Sequence, residues 1–159
     1  MTQYEKSLLI KFILWVLGLL VLLYCFFVFI FWSAGAKSRG ANAQADQIAK
    51  QKAGITEIIK NYHLDRGVSS YTVVGKTNGQ TKYVIYIPHS KRAVVYGEQD
   101  GRSETAVINL FKSQHANAKI TGVNLGWVKK QAMWEIAYTT GNGNLGYQLY
   151  PFQTNSKNK

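Results

Sequence analysis

Residues 12–32 read FILWVLGLLVLLYCFFVFIFW, twenty-one positions without a charged side chain, and no other feature limits the fold of this chain as tightly. At the rise of an α-helix such a run is roughly 31 Å long, which matches the hydrocarbon thickness of a bilayer. The run is therefore expected to be a transmembrane helix. Trp15 and Trp32 stand near its two ends, where interfacial aromatics are favoured. A cleaved secretory signal is the competing reading, because Ala34-Gly35-Ala36 follows with the small-x-small spacing that a signal peptidase needs. A signal core is only about 7 to 15 residues long, which weighs against it. The single cysteine, Cys25, lies inside the apolar run with no small-residue lipoprotein box before it, and reads as a lipid-facing or packing residue.

The span divides the chain into a short tail, residues 1–11, and a polar part from residue 33 on. That polar part carries seventeen Lys and Arg against seven Asp and Glu, so most of the net charge of +11 belongs to it. A domain of this sign is drawn to anions; phospholipid head groups, teichoic polymers of a cell wall and nucleic acid all qualify on charge alone. Charge does not orient the span, since Lys6 and Lys11 on one flank are matched by Lys37 and Arg39 on the other. A long domain crosses a membrane largely regardless of its charge. No cysteine follows the span, which excludes a disulfide framework.

Residues 33–43, SAGAKSRGANA, are small and polar with two glycines and are expected to be a juxtamembrane linker. From there Ala45, Ile48, Ala49, Ile55, Ile59 and Tyr62 recur at helical spacing, predicting an amphipathic helix over 44–62 that Gly54 weakens locally. The period then changes to two. SSYTVVGKT and TKYVIYIP are strand-like runs joined through Asn78-Gly79, a pair that tolerates positive φ and signals a hairpin. Pro88 ends the second run, and RAVVYGE returns as a third strand. Ser103 can cap a second helix in SETAVINLFKSQHA, with Glu104 in its first turn. Three further strands follow, KITGVNLGWV, QAMWEIAYTT and LGYQLYPFQT, the last two joined by GNGN.

The expected fold is α+β: one N-terminal transmembrane helix, then two units, 44–100 and 101–153, each a helix packed on a three-stranded antiparallel meander, and a basic tail over 154–159. A unit of this size has a marginal core alone, so the two are expected to pack on each other. Alternation puts Tyr83, Ile85 and Ile87 on one strand face, and Trp134, Ile136 and Tyr138 on another.

Catalytic constellations are missing. His63, His89 and His115 lack metal-ligand spacing and have no cysteine partner beyond the span. A Gly-x-Ser-x-Gly context is absent. Glu98 and Asp100 read as solvated turn residues, and GNGNLG lacks the Lys-Ser/Thr ending of a phosphate loop. Neither an enzyme nor a metal or cofactor is expected. Tyr71, Tyr83, Tyr86, Tyr96, Lys82, Lys91 and Arg92 can make a basic aromatic sheet of the kind that stacks bases. The ribonucleoprotein-type motif is absent and the chain is membrane-anchored, so nucleic acid is disfavoured. A type IV pilin is excluded because no basic leader precedes Glu5. Tyr86, Lys91, Arg92 and Tyr96, around the turn after Pro88, form the candidate face for a partner protein.

KYVIYIP, SKRAVVY, GRSETAVINLF and AMWEIAYTTGNGNLGYQLYPF, in that order after a span, resemble the TseB-like (YpmB-like) cell wall elongation regulators of Gram-positive bacteria, whose extracellular units are PepSY-like and cystatin-like. The most specific points are residues 83–88, Gly101-x-Ser103-Glu104-x-Ala106, and Trp134-Glu135-Ile136-x-Tyr138 followed by Tyr147. The resemblance implies a non-enzymatic, single-pass cell-membrane protein, N-terminus cytoplasmic and domain extracellular. It implies control of wall elongation through contact with a class B penicillin-binding protein. Binding of an extracellular polyanion, teichoic acid or DNA, is the alternative. One departure stands out: PepSY-like units commonly end on an acidic residue and a Thr-Gly turn, where this chain reads YPFQTNSKNK.

Overall fold

The computed structural model describes residues 3–154; residues 1–2 and 155–159, with nearly all of the basic tail, lie outside the described residues. The architecture is α+β, an N-terminal apolar helix followed by antiparallel sheets. The elements are α1 (Gln3–Ala53), β1 (Glu57–Asp65), β2 (Ser69–Thr77), β3 (Gln80–Ile87), β4 (Arg92–Gly97), α2 (Glu104–Gln114), β5 (Lys119–Val128), β6 (Gln131–Thr139) and β7 (Leu145–Pro151). Single 3₁₀ turns, Pro88–Ser90 and Glu98–Asp100, flank β4. The chain divides into two compact units between Gly40 and Ala41.

In the first unit, Ile10–Ser33 has a mean hydropathy of 2.9 and none of it is buried by the protein. These 24 residues rise about 36 Å, long and apolar enough to cross a membrane. The expected linker over 33–43 is helical instead, since α1 runs without a break from Gln3 to Ala53. Gly35 and Gly40 lower helix propensity by about 1 kcal/mol each, but alanines and long basic side chains around them favour the helix.

The second unit begins with the last part of α1. The helix stops at Ala53 and not at Tyr62 as its apolar spacing predicts. Gly54, at φ +63°, donates its N–H to Lys50 O at 3.1 Å, closing the helix in a left-handed C-terminal cap. The β-branched run after it, with Ile55, Thr56, Ile58 and Ile59, then enters β1, a fourth strand of the first sheet. A bulge between Ile58 and Lys60 resets the alternation so that Tyr62 and Leu64 point inward while Asn61 and His63 are exposed.

Sheet A has the order β1-β2-β3-β4 and sheet B the order β5-β6-β7, all pairs antiparallel. The arrangement expected, a helix on three strands twice over, is realised in part: the first sheet has four strands. Sheet A is covered on both faces. Ala45, Ala49 and Ala53, one helical turn apart, let α1 lie close over Tyr71, Val73, Val84 and Tyr86. The opposite face carries Tyr62, Val74, Tyr83 and Ile85 into the main core, where they meet Val107 and Phe111 of α2 and Leu125, Trp134, Ile136 and Phe152. Ser103 caps α2 as expected, accepting the N–H of Ala106 at 3.2 Å, and Asn78-Gly79 makes its hairpin with φ of 50° and 78°.

β5, an edge of sheet B, lies against β1 and β2. Edge strands leave alternate N–H and C=O groups unpaired. Here Thr72 Oγ1 donates to Leu125 O at 2.7 Å, and the Trp127 N–H donates to Ser70 Oγ at 2.9 Å. Gly126, between them, leaves no room for a Cβ against Leu64 and Ser70.

Candidate functional site

The register of the β3–β4 hairpin decides what the four candidate contact residues can touch. Tyr86 pairs with Ala93, Ile87 with Arg92 and Tyr83 with Tyr96, so the alternation of a strand sends Tyr86 to one face and Arg92 and Tyr96 to the other. Tyr86 is only 3 % exposed and sits beneath α1. Tyr96 is half-buried, its ring centroid 5.2 Å from that of Phe152. Burial, ahead of the opposing influence of Arg92 and the reinforcing one of Asp100, raises its phenol pKa. Lys91 and Arg92 are exposed. The four therefore do not share one surface; only Lys91 and Arg92 are presented to solvent together.

What they join was not legible in the sequence. The Arg92 guanidinium lies 5.5 Å from the Trp127 ring centroid, a cation–π geometry that stiffens an exposed arginine. Trp127 is followed by Val128, packed with Leu64, and then by the exposed two-residue turn Lys129-Lys130. Lys91, Lys129 and Lys130 all have positive φ, 51°, 48° and 66°. Among the described residues there are two ion pairs, Lys60–Glu104 and Arg66–Glu135, and none of these four cations takes part in them.

A second arrangement is built around Glu135, an acidic residue in the apolar middle of β6 and 5 % exposed. The Nε of Arg66, in the β1–β2 turn, is hydrogen-bonded to its carboxylate. The same guanidinium lies 4.3 Å from the ring centroid of Tyr147 on β7. Tyr147 is 57 % exposed and Leu145, two residues earlier, 75 %; β7 is the outer edge of sheet B. A carboxylate inside a hydrophobic strand is a signal of a buried ion pair, although its partner, 69 positions away, is not.

Several other polar groups are engaged within the domain. Lys60 Nζ and Tyr62 Oη both donate to Glu104, at 2.7 and 2.8 Å; burial first, then that hydrogen bond, drives the Tyr62 phenol far above its usual range. His63 stacks on Tyr71 at 4.4 Å and His115 on Phe111 at 4.6 Å. Asp100 accepts the Gly97 N–H at 2.6 Å. A cavity of about 360 Å³ beside Arg102 and Tyr150 has its strongest polar groups engaged within the protein, Arg102 on Pro151 O and Tyr150 on Gln114. Among the described residues no group of three or more His, Cys, Asp or Glu can hold a metal.

In structure the chain is similar to the YpmB protein from Bacillus subtilis, with a TM-score of 0.61 and 20 % identity over 71 % of this chain and 90 % of that one. The likeness is one of architecture, a YpmB-like fold. No protein-family model and no curated protein matches the chain.

Proposed function

We propose that the protein is a non-enzymatic regulator of cell wall elongation, anchored in the cell membrane by one span, with its N-terminus cytoplasmic and its domain extracellular. It acts by contact with a class B penicillin-binding protein. The observation that carries the contact is the outer edge of sheet B, where β7 leaves Leu145 and Tyr147 exposed beside the Arg66 guanidinium. An open strand edge with apolar and aromatic side chains suits a protein partner that adds main-chain hydrogen bonds. The YpmB-like fold and the membrane-spanning length of Ile10–Ser33 support the setting.

A photo-cross-linking residue at position 147, in intact cells, is expected to capture a class B penicillin-binding protein, and one at buried position 134 is not. Recovery of no envelope enzyme from position 147 or 145 sinks the partner. A reporter fused after Lys159 tests the orientation, and activity in the cytoplasm overturns it. The second reading, an extracellular module for teichoic acid or DNA, is favoured by the net charge of +11 and predicts affinity for soluble polyanions that falls steeply with salt.

A further inference from the structure

We propose that the end of the domain bearing Lys91, Arg92, Lys129 and Lys130 docks on an anionic phospholipid surface. Tyr71 pairs with Tyr86 in the β2–β3 register, so the β1–β2 and β3–β4 turns lie at one end of sheet A. The β5–β6 turn is held to that end by the Trp127 N–H on Ser70, the Trp127 ring beneath Arg92, and Val128 against Leu64. Two connections distant in sequence thus gather four cations beside the β1–β2 turn, none in an ion pair among the described residues. Asp65 stands at this end and Glu135 is paired with Arg66 of the β1–β2 turn, whereas Glu57, Glu98 and Asp100 lie at the other end, with the β2–β3 turn.

The chain also enters the domain here. Ala53 O, at the helix end, accepts from Thr77 Oγ1 at 2.9 Å and Lys82 Nζ at 3.3 Å, which fixes the C-terminus of α1 at the end opposite the cations. Residues 41–53 rise about 18 Å as helix, the length of roughly five to six strand residues such as 82–87. Ala41, packed in the cluster of Tyr86 and Ala93, is therefore at the basic end. It is eight positions from Ser33, the last residue of the span, and eight residue steps reach at most about 29 Å. A tether this short keeps the domain at high effective concentration near the bilayer. Each Lys or Arg brought to an anionic membrane then multiplies the association by roughly fivefold.

The backbone makes the same point independently. A two-residue turn with both φ positive favours Asn-Gly, which is what the opposite end has in Asn78-Gly79. At the basic end the same geometry is occupied by Lys129-Lys130, and Lys91 is left-handed as well. Lysine side chains stand where the backbone disfavours a Cβ, as expected if the charge itself is used there.

The test reconstitutes the full-length chain in nanodiscs of phosphatidylglycerol or phosphatidylcholine and follows acylation of each lysine by mass spectrometry. In phosphatidylglycerol, Lys91, Lys129 and Lys130 are expected to react several-fold more slowly than in phosphatidylcholine, Lys76 and Lys112 to be unchanged, and high salt to abolish the difference. K129N/K130G removes two charges while giving the turn its preferred residues, so it keeps or raises thermal stability and lowers the protection of Lys91 about fivefold or more. Equal rates in the two lipids, protection spread evenly over all lysines, or undiminished protection of Lys91 in the variant overturns the proposal. So does equal protection of Lys91, Lys129 and Lys130 in phosphatidylcholine by added poly(glycerol phosphate), which assigns the cations to a soluble polymer.

Discussion

Thr72 donates its hydroxyl to the carbonyl of Leu125 at 2.7 Å from a position with no exposed surface. A residue on the second strand of one sheet thereby completes the backbone of the edge strand of the other, and Ser70 does the same for the next outward group, the Trp127 N–H. The two sheets are thus joined by directional bonds as well as by the apolar core, which fixes how β5 slides along β2.

Thr72→Val keeps the shape and removes the donor, leaving a buried carbonyl unpaired. The expected loss of stability is about 1–3 kcal/mol, read from denaturant unfolding in micelles by near-ultraviolet circular dichroism. Wild-type stability in this variant excludes the role assigned to the hydroxyl.

Gly126 and Gly122 lie on the same strand with opposite surroundings. A Cβ at 126 collides with Leu64 and Ser70, whereas at 122 it meets Ala137 Cβ at an ordinary 3.7 Å. Gly126→Ala is expected to destabilise by about 1–3 kcal/mol, and Gly122→Ala to stay within about 0.5 kcal/mol of wild type. Equal effects at the two positions contradict the close approach of β5 to sheet A.

Arg66→Ala strips the buried Glu135 carboxylate of its partner. The side chain of Arg66 is 37 % exposed, so solvent screens part of the loss, and about 1–3 kcal/mol is expected at neutral pH. Glu135→Gln is expected to cost less, and the double variant less than the sum. Strict additivity in this thermal-unfolding cycle rules out the coupling.

Burial raises the phenol pKa values of Tyr62, Tyr83, Tyr96 and Tyr150. Unfolded, these phenols ionise near pH 10. A raised folded pKa means that their contribution is fully present below about pH 10 and is lost as pH climbs toward the folded values. Ultraviolet titration is expected to show these four ionising late, together with collapse of the near-ultraviolet dichroism. A single tyrosine step near pH 10 with the fold intact refutes the assignment.

Much of the fold was legible in contiguous residues. The apolar run of 12–32, the Asn78-Gly79 hairpin, the Ser103 cap and the face shared by Tyr83, Ile85 and Ile87 each depend on a few neighbours, and each is found in place. The first helix ends at Ala53, short of the Tyr62 that its apolar spacing predicts, because two local signals conflict. Apolar spacing continued to Tyr62, while Gly54 could close the helix at Ala53; closure prevails because Ile55 and Ile58 then pack against sheet A and β1 gains a strand partner.

The candidate face was less legible, and for a general reason. Alternation in TKYVIYIP determines that Tyr86 opposes Tyr83 and Ile85, but not which side of the sheet is left open. That was decided by α1 covering one face and by α2 with sheet B covering the other, so Tyr86 is buried and Arg92 meets Trp127. The same holds for Glu135 and Arg66, and for the union of Lys91 with Lys129 and Lys130. By itself the sequence determined where elements begin, how they alternate and that one segment suits a membrane, since hydrophobic length and backbone preference are carried by adjacent residues. Only the tertiary structure decided which side chains stay in solvent and which charges stand together, because burial and charge pairing depend on groups that come together only when the chain folds.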